Sequence, residues 1–200
     1  IATGDNSFFT MTAVEVDEWR IEPRFLAPVV VGSKDLPLEG PLDAEFRRDR
    51  IDAGARAFLF FCHEPIEALR GTNALRYIEH GHERGLHERF NCRTRRPWYG
   101  VEQVAPADFF TTYMSRDRAR IVRNRVGARC MTSLLNVWAK PGVDPDALRE
   151  SLEDSANAQL LREFGRTYGG GLGKIEPNDL AALPIRPPAG LELPGQGRLL

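Results

Sequence analysis

The chain has 200 residues, of which 42% are hydrophobic and 28% charged, a balance typical of a soluble globular protein long enough to bury a sizeable core in one domain. No apolar run approaches the roughly 20 residues of a membrane span, and three cysteines without C-x-x-C spacing (Cys62, Cys92, Cys130) fit a reducing cytoplasm better than a disulfide framework. The net charge of −1 conceals an asymmetry: residues 84–129 carry eleven Arg and four acids, a block of +7 that leaves the remainder at −8.

In chain order, residues 7–16 (SFFTMTAVEV) and 27–31 (APVVV) are rich in β-branched and aromatic side chains and are predicted as strands. Residues 32–50, punctuated by Pro37, Gly40 and Pro41, are expected to form a loop, and the apolar run 57–62 (AFLFFC) a buried strand. Thr72 is placed to cap a helix from Asn73 to Glu83 with Leu75, Tyr77 and Ile78 facing inward. Residues 98–104, 109–114, 119–124 and 129–139 follow as strands between Pro, Gly or charged turns.

The strongest helical signal covers residues 145–164. Asp144 suits the N-cap, Pro145 the first helical position and Gly165 the C′ position, while Leu148, Leu152, Ala156 and Leu160 recur at i+4. A turn of helix is expected over 177–182, packing Leu180 and Leu183, and a Pro/Gly-rich tail over 184–200. Strands first and helices late predict an α+β domain over residues 1–183.

Clustered positive charge is the electrostatic footprint of a phosphate backbone. Arg outnumbers Lys twenty-four to three, however, which genomic base composition alone would also produce. The densest combination of Arg and aromatics is Arg93-Thr94-Arg95-Arg96-Pro97-Trp98-Tyr99: guanidinium groups suit phosphate or guanine, and aromatic rings can stack on an exposed base. Trp98 fits the core better than a contact. A second cationic turn, Ser115-Arg116-Asp117-Arg118-Ala119-Arg120, leads into Arg123 and Asn124. It fits either a solvated hairpin or a phosphate contact, and Asn124 and Asn136 equally fit ordinary turn hydrogen bonding. His82 and His87 satisfy half of a zinc spacing, and no metal site is expected. None of the serines lies in a G-x-S-x-G elbow, so the chain shows no self-contained active site.

Two motifs near the ends carry a more specific message. Thr3-Gly4-Asp5-Asn6-Ser7-Phe8-Phe9 opens the chain, and GRTYGGGLGKIEPNDLAALP occupies residues 165–184. In this order and about a domain apart, they resemble the TG-x-N-x-FF and GR-x-YGGGL-x-K-x-EP elements of bacterial restriction–modification DNA adenine-N6 methyltransferases, in the target-recognition part that follows the catalytic domain. The resemblance implies a β-rich body with a helical C-terminal portion, as in DNA methylase specificity domains. It also implies sequence-specific recognition of double-stranded DNA, with S-adenosylmethionine bound by an upstream catalytic domain. The Asn/Asp-Pro-Pro-aromatic loop of those enzymes is absent from this sequence, and Gly169-Gly170-Gly171 is predicted to follow a helix, the wrong context for a cofactor fingerprint. The chain therefore reads as a fragment that holds neither the catalytic residues nor the cofactor site.

The candidate DNA contacts are Arg93, Arg95, Arg96, Tyr99, Arg116, Arg118, Arg120, Arg123, Arg166, Tyr168, Gly170 and Lys174. Bare backbone at the glycines beside Arg166 and Lys174 suits either a phosphate seat or close packing against the catalytic domain. A module that docks a protein partner without touching DNA is the competing reading, with the 145–164 helix as its surface.

Overall fold

The computed structural model describes residues 1–112, 114–115, 120–154, 156–157, 159–160, 166–168, 172–174 and 185. Among the described residues ten strands form three sheets. β1 (Thr10–Met11), β2 (Leu26–Val30), β3 (Phe58–Phe60) and β7 (Arg129–Cys130) make a mixed sheet of order β1-β3-β2-β7, parallel only at the β2–β7 pair. β6 (Ile121–Arg123), β4 (Phe109–Thr112) and β8 (Leu134–Val137) form an antiparallel sheet with β4 central. A third antiparallel sheet joins β5 (Met114–Ser115), β10 (Leu172–Lys174) and β9 (Arg166–Tyr168).

The described residues also include the α-helices α1 (Asn6–Phe9), α2 (Ala13–Trp19), α3 (Ala44–Asp52), α4 (Asn73–Glu83), α5 (Phe90–Arg93) and α6 (Pro145–Glu153), together with four short 3-10 helices. The domain is α+β, but among the described residues the order differs from the expected one, because five of these α-helices precede β4.

Two apolar cores sit on either side of the β2–β7 pair. Successive side chains of a strand point to opposite faces, so Val29 joins one core and Val30 the other. The first gathers Phe8, Phe9, Phe25, Phe60, Tyr77 and Ile78, with the Phe8 ring stacked on Tyr77 at 4.4 Å and Tyr77 Oη donating to Phe8 O at 2.6 Å. The second gathers Leu36, Leu42, Phe110, Val122, Cys130 and Leu134. All three cysteines are free and buried. Burial pushes the thiols of Cys62 and Cys130 up to about 11, which makes them poor nucleophiles.

Several expectations hold. α4 begins and ends where its signals placed it, with Thr72 Oγ1 accepting from Leu75 N at 3.1 Å. Asp144 caps α6 through Ala147 N, with Pro145 at its first position. Strands occur within residues 27–31, 57–62, 109–114, 119–124 and 129–139.

Other expectations are corrected. Residues 7–16 are not a strand but two helices around β1. Asp5 caps the first by accepting from Phe8 N at 3.0 Å, and Thr12 with Glu15 forms a reciprocal capping box on the second. The loop expected over 32–50 contains α3, capped by Asp43. Residues 98–104 form no strand; Gly100 N closes a turn onto Pro97 O at 2.9 Å, and Trp98 packs beside Phe8. The helix expected over 145–164 is interrupted: α6 ends at Glu153, and the described residues 156–157 and 159–160 are helical again, while 161–164 lie outside the described residues. Asp154 is extended there and its side chain accepts from Ala156 N, competing with the helix backbone. Arg166–Tyr168 is a strand, so the glycines 169–171 follow a strand and not a helix. The turn expected over 177–182 and the tail expected over 184–200 lie outside the described residues, apart from residue 185.

Candidate nucleic-acid interface

The cationic block folds into two kinds of arginine. Loops leave main-chain carbonyls without partners, and a guanidinium, with five donors, can satisfy several at once. Arg95 donates to Thr3 O at 3.0 Å and to Ala2 O. Arg120 reaches Ser33 O at 2.8 Å and Pro37 O at 3.1 Å. Arg129 donates to Val104 O and lies 4.1 Å over the Phe61 ring. Arg123, only 15% exposed at its side chain, donates to Asp108 O and Asn124 O and pairs with Asp108 and Asp146. Two of the candidate DNA contacts, Arg95 and Arg120, are thus corrected as free cations, since each guanidinium is spent on the carbonyls of a different loop. Carbonyls are neutral, so Arg95, Arg120 and Arg129 still add their charge to the surface field.

Tyr99 is also corrected. It is 2% exposed, donates to Glu64 O at 2.7 Å, and has its hydroxyl pushed up to about 12 by burial. It packs the core and offers no face to a base.

Arg93 and Arg96 are different. Both are exposed, and among the described residues neither has a carboxylate within ion-pair distance. The Arg93 guanidinium lies 5.4 Å over the Phe90 ring, and Arg96 folds back onto the carbonyls of Arg93 and Arg95. Exposed Arg84, at the end of α4, likewise has no such carboxylate.

The backbone register places the strands carrying two further candidates, Arg166 and Lys174, beside β5. Lys174 pairs with Arg166 on one side and Met114 on the other, and Gly173 pairs with Ser115. β9 and β10 therefore lie along β5, the strand that ends one residue before Arg116. Only the backbone of Arg166, Tyr168 and Lys174 is described, and Arg116, Arg118 and Gly170 lie outside the described residues.

The base beneath α5 contains residues that the sequence reading missed. Arg89 pairs with Asp5 at 2.6 Å and donates to Gly4 O. Gly4 has φ +88°, and a Cβ there would lie 3.1 Å from Cys92 Sγ, so the opening segment approaches α5 closely. Asp5 caps α1 and anchors this contact. Burial opposes its charge, but hydrogen bonds from Ser7 and Phe8 N and the charge of Arg89 outweigh that and hold its carboxyl below the ordinary 3.8. A depressed carboxyl contributes stability that is complete above its unfolded value and is lost as pH falls through the folded one. Asp5→Asn keeps the cap but not the charge. It is expected to cost about 1 kcal/mol at neutral pH, with the gap to the parent closing below pH 3.8. Denaturant midpoints at both pH values check this; a gap independent of pH refutes it.

His82 and His87 stack face to face at 3.8 Å, which turns ring planes and not nitrogen lone pairs toward each other. Among the described residues no three His, Cys, Asp or Glu side chains are grouped to hold a metal ion, and no helix is long and apolar enough to cross a membrane.

Known proteins supply the context for this surface. Residues 1–194 match the family described as the C-terminal domain of the type II methyltransferase M.Eco57I. The chain is 29% identical over 184 residues to the type II methyltransferase M.AccI of Acinetobacter calcoaceticus, covering 90% of this chain and 33% of that protein. It is 30% identical over 101 residues to the type II methyltransferase M.XamI of Xanthomonas campestris pv. amaranthicola, covering 50% of this chain and 19% of that protein. The chain thus spans about a third of the length of M.AccI. With a family match across nearly its whole length, the chain belongs to the C-terminal domain family of the type II methyltransferase M.Eco57I.

Proposed function

We propose that this domain holds duplex DNA and reads its sequence for a restriction–modification methyltransferase, presenting an adenine for N6 methylation. The two thirds of M.AccI that this chain does not span leave room for a domain that binds S-adenosylmethionine and transfers the methyl group. DNA as the substrate goes with a cytoplasmic location. The observation that carries the reading is the exposed, unneutralised Arg93–Arg96 surface within a block of +7. Each cation that neutralises a phosphate releases counterions, so affinity falls with salt at a slope of about −0.9 per contact.

In the complete methyltransferase, Arg93→Ala and Arg96→Ala should each weaken cognate and random duplexes alike and flatten the salt slope by about one. Fluorescence anisotropy across a salt series checks this. Binding that ignores salt, or variants with an unchanged slope, would point instead to apolar docking on a protein partner.

A further inference from the structure

We infer that Phe90 is the side chain this domain inserts into the base stack of bound DNA. The inference rests on the DNA-binding reading above and adds to it the contact that deforms the duplex.

Phe90 is 70% exposed, the most exposed aromatic ring among the large hydrophobic side chains described as exposed. A single apolar side chain on a surface is unremarkable by itself; here the local geometry adds a reason. Residues two apart on a helix point roughly 200° from each other, while those three apart share a face. Cys92 is fully buried and its Sγ lies 3.5 Å from Thr3 O, which aims Phe90 outward and sets Arg93 beside it. The cation lies over one face of the ring, and exposed Arg96 follows on the same short segment.

The support beneath is fixed. Arg89 grips Gly4 O and Asp5, Arg95 grips Ala2 O and Thr3 O, and Gly4 leaves no room for a side chain against Cys92. A ring held outward on a fixed pedestal loses little conformational freedom on binding.

The occupant follows from charge. An apolar protein face would have to desolvate Arg93 and Arg96 without neutralising them, whereas duplex DNA supplies phosphates for both cations and base faces for the ring. Wedges of this kind part a base step and kink the helix, which assists a reaction that needs a base outside the stack.

The test uses the complete methyltransferase and its recognised duplex, with 2-aminopurine substituted in turn at each adenine. Phe90→Ala should weaken binding about tenfold, the loss of one stacking contact, with the salt slope unchanged because no charge is removed. It should also abolish a fluorescence rise that the parent shows at one step, and Phe90→Trp should restore both. Salt-dependent binding by the parent together with parental affinity and fluorescence in Phe90→Ala would overturn the wedge and leave the DNA reading standing. A lowered unfolding temperature of the DNA-free enzyme with unchanged affinity would also overturn it, marking Phe90 as packed on the catalytic domain. A parent that binds no duplex would overturn both readings.

Discussion

Asn124→Ala is expected to destabilise the domain by about 3–4 kcal/mol. Asn124 is 5% exposed and sits at the end of β6. Its Nδ2 donates to Ala107 O at 2.8 Å and Ala128 O at 2.9 Å, and its Oδ1 accepts from Ala128 N at 3.1 Å. Alanine would strand two carbonyls and one N–H in a region where Ala107 and Ala128 are themselves buried. Each such group carries a desolvation cost of about 1–3 kcal/mol. Asn124→Asp should do no better, because a carboxylate can only accept where the two carbonyls require a donor. Denaturant unfolding of both variants checks the point, and a loss under about 1 kcal/mol would refute the account. From the sequence Asn124 fits ordinary turn hydrogen bonding; the fold makes it the group that ties residues 107, 124 and 128 together.

Gly81→Ala is the second large expected effect, and its sign runs against helix propensity. Alanine in a helix interior ordinarily stabilises by about 0.5–1 kcal/mol relative to glycine. Gly81 lies within α4, however, and a Cβ there would stand 2.6 Å from Phe8 Cζ and 2.8 Å from Trp98 Cη2. Phe8 is fully buried, stacked on Tyr77 and edge-on to Phe9 at 5.0 Å, so its ring has nowhere to retreat. Overpacking should win and leave a net loss of about 2 kcal/mol. In a chain of this size that is a fall in Tm of about 4–8 °C. Combining Gly81→Ala with Phe8→Leu should cost less than the two single changes added together, because the smaller side chain makes room for the methyl. Strict additivity, or a stabilised Gly81→Ala, would show that the ring moves freely.

Both predictions concern side chains that reach across the fold, and here sequence and structure part company. Features with local causes were legible. Thr72 and its spaced apolar residues defined α4, Asp144 and Pro145 the start of α6, and the apolar run at 57–62 its buried strand. A local signal was also available, though outweighed, over residues 7–16. There β-branched and aromatic composition argued for a strand, whereas the Thr12–Glu15 capping box satisfies the first backbone donors of a helix. At α6 the i+4 pattern runs across a break at Asp154 to helical Ala156 and Leu160, because nothing in periodicity registers that the Asp154 side chain accepts from Ala156 N and interrupts the helix.

The family and the α+β class were determined by the sequence itself: the two glycine- and phenylalanine-bearing motifs are short, ordered and distinctive, and the strand and helix signals are local. Which arginines remain free was decided by tertiary structure alone. Arg95 meets carbonyls 92 and 93 residues away, and Arg120 meets others 83 to 87 residues away. No spacing rule carries information over such separations, since the pairing depends on which loops the two cores bring together. The same packing buried Tyr99 and, by turning Cys92 inward, left Phe90 outside beside the Arg93 guanidinium.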